Sequence, residues 1–214
     1  MEAVAVVPKL PTTLDDLEEG DILRIPATWD EYLDLAGETD YTIQYLHDEI
    51  IIMSQATVTH EQLVIRLGKL FANYFDELDD YLVLGSNVRI VMPDQPADFQ
   101  ADLSLVHGAP DFGLTPAGRE SRVRLTNPEI VVEVLSKGTR RFDLGPKLSV
   151  YQTVESLKHV LLVEQNEVSV QVYSRTNHPD QWLLTRYHNL ADVVPMGDFA
   201  LPLTDLYRKI DLSA

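Results

Sequence analysis

Residues 130–135 read Ile-Val-Val-Glu-Val-Leu, a run in which four of six residues are β-branched and only Glu133 is polar. Such a run suits a central strand covered on both faces. A carboxylate in its middle is costly to bury unless it is paired or serves a ligand. The chain is therefore constrained to a layered fold whose sheet carries a charged group in its interior. Two explanations stay open for Glu133: a structural ion pair and a functional carboxylate.

The surrounding pattern alternates helices and strands. Leu63, Val64, Leu67, Leu70, Phe71, Tyr74 and Phe75 follow helical spacing and predict a helix over 60–75. Thr28 with Glu31 three residues on predicts a capped helix reaching residue 35. Residues 42–46 and 49–54 flank His47-Asp48 as a hairpin, although the preferred turn glycine is absent. Strands are expected near 81–84, 87–92 and 101–106, followed by a loop of some twenty residues. A helix near 143–154 follows the 130–135 strand, with Pro146 in its first turn and Asp143 suited to be its N-cap. Strands near 159–164, 168–173 and 182–187 complete the order. We expect an α/β (α+β) fold: a central mixed β-sheet flanked by helices, with an additional N-terminal helix and β-hairpin. Residues 1–25 lack a sustained period and read as an arm, leaving 26–214 as a single domain.

Asp102 opens one predicted strand and Glu133 interrupts another, so two carboxylates from neighbouring strands can converge at one edge of the sheet. Carboxylate oxygens suit Mg²⁺ or Mn²⁺, and Mg²⁺ typically takes one or two carboxylates, with water and substrate phosphate filling the rest. This is a phosphodiesterase-type arrangement, in which Lys147 would add a cation against developing negative charge. Asp102 also suits a strand-entry cap.

Charge argues in the other direction. The chain has 17 basic and 34 acidic residues, a net −17, whereas nucleic-acid affinity comes mainly from Lys and Arg on phosphates. The distribution is uneven. Residues 10–50 hold twelve acidic side chains and one basic, Arg24, while residues 119–147 hold seven basic and four acidic. Lys137, Arg140 and Arg141 lie in that second stretch and are the candidate phosphate contacts; a solvated face with ordinary ion pairs is the alternative. With no cysteine, a metal must be held by oxygen or imidazole, and the composition suits a reducing cytoplasm. Apolar runs fall short of the roughly 18 residues a spanning helix needs, so no membrane association is expected. The N-terminus lacks the pattern of a cleaved signal peptide.

The segment Asn127-Pro128-Glu129-Ile130-Val131-Val132-Glu133-Val134-Leu135-Ser136-Lys137-Gly138-Thr139 is followed at intervals of four by Asp143, Lys147 and Tyr151. Earlier stand Met53-Ser54, His60 at a helix start, and Ala101-Asp102. In these motifs, over residues 28–187, the chain resembles the Uma-two family, bacterial proteins assigned to the PD-(D/E)XK restriction-endonuclease-like superfamily. The resemblance implies a restriction-endonuclease-like core and a Mg²⁺- or Mn²⁺-dependent endonuclease acting on DNA. It implies Asp102 and Glu133 as metal ligands, with Lys147 and His60 as further catalytic residues. The superfamily lysine would stand where this chain has Leu135, and Lys147 on the next helix takes its place. Gln44 and Asp48 replace the hairpin Glu and Gly that the family favours. Nucleases of this fold often act as symmetric dimers, so a homodimer is expected. The alternatives are a nuclease-fold module working through protein contacts and a hydrolase of a small phosphorylated substrate.

Overall fold

The computed structural model describes residues 8–15, 17–18, 20–36, 38–92, 94–115, 118–178 and 180–212. In chain order the strands are β1 (Ile22–Pro26), β2 (Ile43–Leu46), β3 (Glu49–Met53), β4 (Tyr81–Gly85), β5 (Arg89–Met92), β6 (Ala97–Gln100), β7 (Leu103–His107), β8 (Phe112–Leu114), β9 (Glu120–Leu125), β10 (Ile130–Leu135), β11 (His159–Glu164), β12 (Val170–Arg175), β13 (Trp182–Tyr187), β14 (Val193–Met196) and β15 (Phe199–Pro202). The helices are α1 (Trp29–Leu35), α2 (Val58–Phe75), the three-part α3 (Arg140–Phe142, Asp143–Lys147, Leu148–Tyr151) and α4 (Leu203–Leu206).

Two sheets frame the molecule. The six-stranded sheet runs β13-β12-β11-β10-β7-β4. It is mixed, because β10 and β11 are parallel while the other neighbours are antiparallel. Alternation along β10 sends Ile130, Val132 and Val134 to one face, where Leu63, Leu67 and Phe71 of α2 cover them. Val131 and Leu135 face the other way, onto Leu148 and Tyr151 of α3 and onto Ile51, Ile90 and Phe99 of the second sheet. Glu133 shares the parity of Val131 and Leu135, so its carboxylate is committed to the interior between layers. The α+β class and the mixed, helix-flanked sheet are as the sequence predicts.

The second sheet exceeds the predicted hairpin. It has seven strands in the order β1-β3-β2-β6-β5-β9-β8. The hairpin itself forms, and His47 and Asp48 supply the positive φ of a tight turn (51° and 58°) without glycine. The arm is corrected at its end: residues 22–26 pair with β3, and Leu23 and Ile25 pack against the cluster around Tyr32, Tyr45 and Ile50. Residues 1–7 of that arm lie outside the described residues. β6, β8 and β9 occupy segments expected to be turn and loop. Their polar residues are paired internally: Asp98 is fully buried and accepts from Arg89 Nε at 2.6 Å and Arg124 Nε at 3.2 Å. Arg89 also donates to Tyr32 Oη and Ile43 O, tying α1 to the sheet. No helix among the described residues is long and apolar enough to cross a membrane.

Candidate active site

Asp102 lies in the link between β6 and β7, one residue before Leu103, whose partner on β10 is Val132. The side chain extends the ladder by one step, and Asp102 Oδ2 accepts the Val134 N–H at 2.6 Å. Its capping role is therefore real and fixes the carboxylate next to Glu133. His60 Nε2 stands 3.3 Å from the same oxygen. His60 is delivered by the first turn of α2, which Thr57 caps by accepting the His60 N–H. Its Nδ1 is buried without a hydrogen-bond partner among the described residues.

Lys147 reaches Glu133 from α3 through an irregularity in the helix. Pro146 has no N–H to give and falls inside the helix rather than in its first turn as expected. The chain answers with a wide turn over Asp143–Lys147, in which Leu148 N–H reaches Asp143 O five residues back. Asp143 makes no N-cap bond here and instead is buried facing Lys147, its Oδ1 3.7 Å from Nζ. The Lys147 ammonium, 2% exposed, lies 2.7 Å from Glu133 Oε1 and donates to Gln100 O at 3.1 Å. Tyr151, one turn further on, donates to the same Glu133 oxygen at 2.7 Å. In the sequence Tyr151 stands only as the last member of the series spaced by four, with nothing to show that its hydroxyl meets Glu133.

Asp102, Glu133, Lys147 and His60 thus come together, with Asp143, around one cavity of about 420 Å³. Three carboxylates face one ammonium in a buried setting. Burial first, then Asp102 and Asp143, push Glu133 up to about 8 against the opposing pull of Lys147. Asp143 is also raised, by burial. For Lys147 burial acts downward, but Glu133 and Asp143 outweigh it and hold the ammonium protonated. His60 is raised because the hydrogen bond and charge of Asp102 outweigh desolvation.

The expected basic island does not form one surface. Arg124 is buried against Asp98, and Lys147 belongs to the cavity. Arg140 donates through Nε and Nη2 to Glu164 Oε1, at 3.0 and 2.8 Å. Lys137 and Arg141 are exposed where the chain leaves β10 and enters α3.

Compared with known proteins, residues 29–204 match the model of the Uma2 family, described as "Putative restriction endonuclease". The chain belongs to the Uma2 family. Two relatives from Synechocystis sp., each named only as an uncharacterized protein (sll1609 and slr1290), are 27% and 28% identical to it over 155 and 160 residues. These alignments cover 72% and 74% of this chain and 84% and 78% of the relatives. A crystal structure from Anabaena variabilis, titled as that of "a putative nuclease belonging to DUF820", superposes with a TM-score of 0.67 at 19% identity. The superposition covers 85% of this Uma2 chain and 98% of that one, and the shared fold is restriction-endonuclease-like.

Proposed function

We propose that this Uma2 chain is a divalent-metal-dependent nuclease that hydrolyses phosphodiester bonds in DNA. Asp102 and Glu133 are its ligands for Mg²⁺ or Mn²⁺, and Lys147 and His60 act beside them. The observation carrying this reading is that carboxylates from two neighbouring chain segments and a lysine from a helix line one cavity. The donor set fits such an ion. Mg²⁺ usually takes one or two carboxylates from a protein, which these two can supply, although among the described residues no group of three or more His, Asp or Glu is placed to hold a metal ion. The local excess of carboxylate over ammonium calls for added positive charge. Tyr151 and Lys147 both engage Oε1 of Glu133, and Val134 N–H and His60 both approach Oδ2 of Asp102, which leaves Oε2 of Glu133 and Oδ1 of Asp102 to an ion.

When bound, the ion supplies charge stabilisation on the phosphate under attack. The protein does the rest. Lys147 places a fixed cation against the negative charge that develops in the transition state, in a site too dry to screen it. Tyr151 and Val134 N–H hold the two carboxylates so that little reorganisation is needed. His60 Nε2, 3.3 Å from Asp102 Oδ2, orients that carboxylate. Lys137 and Arg141, exposed where β10 gives way to α3, serve the flanking phosphates. We further propose that the chain works as a homodimer in the cytoplasm.

The test is Mn²⁺-dependent cleavage of plasmid and single-stranded DNA by wild type beside Glu133→Gln, with thermal melts confirming that both fold. Cleavage in wild type and its loss in the variant are expected. No metal-dependent cleavage by wild type, or equal cleavage by the variant, would overturn the reading.

A further inference from the structure

Two adjacent residues in the middle of α3 work against a helix. Gly145 loses the most backbone freedom on ordering, and Pro146 has no N–H and a ring that crowds the carbonyl four residues back. Packing explains neither of them. A Cβ at Gly145 would meet nothing outside its own turn within 4 Å. Pro146 is exposed, so its ring fills no place in the core. Residues that break the local rules of their element without a gain in packing are expected where function demands them.

What the pair imposes is the wide turn over Asp143–Lys147. Leu148 N–H reaches Asp143 O, five residues back, and also Gly145 O, which accepts from Ser149 Oγ at 3.0 Å as well. The turn is closed by its own bonds, and it changes which way the side chains face. In a regular helix each residue advances by about 100°, so Asp143 and Tyr151, eight residues apart, would diverge by about 80°. A turn that takes in one extra residue leaves them about 20° apart, as if seven residues separated them. Asp143, Lys147 and Tyr151 are accordingly all buried, while Pro146 and Ser149 point outward. Lys147 Nζ and Tyr151 Oη both meet Glu133 Oε1 at 2.7 Å, and Asp143 Oδ1 stands 3.7 Å behind the ammonium.

We propose that Gly145-Pro146 is a positioning element: the wide turn it imposes holds the Lys147 ammonium and the Tyr151 hydroxyl on one face, aimed at Glu133. Both residues act through Lys147. The catalytic consequence rests on the nuclease reading above, whereas the geometry stands apart from it. In a regular helix Lys147 would take another direction, and a long side chain free to turn carries its ammonium to water.

The experiment restores helix-forming residues in the full chain with Gly145→Ala/Pro146→Ala, and carries Pro146→Ala alone in parallel as the milder change. Reductive methylation in metal-free buffer, well below the melting temperature, is read lysine by lysine by mass spectrometry. Lys69 and Lys158, both exposed, report on the reagent. Lys147 should resist modification in wild type and react at least about tenfold faster in the variants. Mn²⁺-dependent cleavage of plasmid DNA should lose about a hundredfold in kcat at unchanged KM. Lys147 as protected in both variants as in wild type would overturn the proposal, and so would full cleavage with Lys147 exposed. If the double variant loses its cooperative melt, the single variant decides. Loss of that melt in both would mean that Pro146 serves the fold itself and would also overturn the proposal. If wild type cuts no DNA, the nuclease reading falls, while the methylation arm still decides the aim of Lys147.

Discussion

The Lys147 ammonium and the Glu133 carboxylate lie 2.7 Å apart with almost no exposure of either side chain, and they reach each other from a helix and a strand that are not neighbours in sequence. Removing one partner of such a pair leaves the other buried without compensation, at a cost of about 3–5 kcal/mol. Lys147→Met is therefore expected to destabilise the fold by an amount in that range. Glu133→Gln should cost much less, because Lys147 keeps Asp143 and Gln100 O. Urea denaturation of both variants decides it, and a loss under about 1 kcal/mol for Lys147→Met would mean that the pair contributes little.

Stability should fall as pH rises in metal-free buffer. Glu133, Asp143 and His60 all have folded-state values above their ordinary ones, so the native state binds more protons than the unfolded chain. The stabilisation is present below the ordinary Glu value of 4.5 and is lost as pH climbs towards about 8. Melting temperature with a chelator present should drop between pH 5 and pH 8, and Glu133→Gln should flatten that drop. Mn²⁺ at pH 8 should restore what the proton provided, since both compete for the same carboxylates. A melting temperature that rises over this range would contradict the assignment.

Arg141 and Arg140 should part company in DNA binding. Arg140 already donates twice to Glu164, whereas Arg141 takes no ion pair among the described residues. Arg141→Ala should weaken DNA retention alike for all sequences and reduce the salt slope by about 0.7–0.9 log units per lost phosphate contact. Arg140→Ala should cost less binding but some stability. Calorimetric Mn²⁺ affinity should stay near wild type in both, because neither side chain touches the carboxylates.

A homodimer is expected from the sheet edges. β13 closes one end of the six-stranded sheet and carries Leu183, 60% exposed. An edge of this kind needs a cover or a partner. Light scattering at micromolar concentration should give twice the 24.2 kDa chain mass. A monomeric mass would dispose of the expectation.

The legible parts of the sequence were those where burial and apolar periodicity coincide. Ile130 to Leu135 and the α2 stripe of Leu63, Leu67 and Phe71 announced their elements directly, and Glu133 was conspicuous by breaking a pattern. β6 and β9 were hidden by their own polar residues. Asp98, Arg89 and Arg124 neutralise one another in the interior, and no local pattern reports a partner far away in the chain. Asp102 and Lys147 were placed by motif rather than by periodicity. The role of the Tyr151 hydroxyl had no local signal, and the wide turn at Pro146 followed from a missing N–H that the sequence displayed but whose remedy it did not.

That wide turn also bears on the order of events in folding. Since the lysine arrives on α3, β10 needs no second charged residue, and Leu135 two positions beyond Glu133 stays apolar in the core. We expect the strand to pair with β7 and β11 while Glu133 still holds its proton, and the ammonium to enter when the wide helical turn docks. Contacts made after the barrier govern how fast a protein comes apart rather than how fast it assembles. Lys147→Met should accordingly speed unfolding in stopped-flow denaturant jumps and leave the refolding rate nearly unchanged.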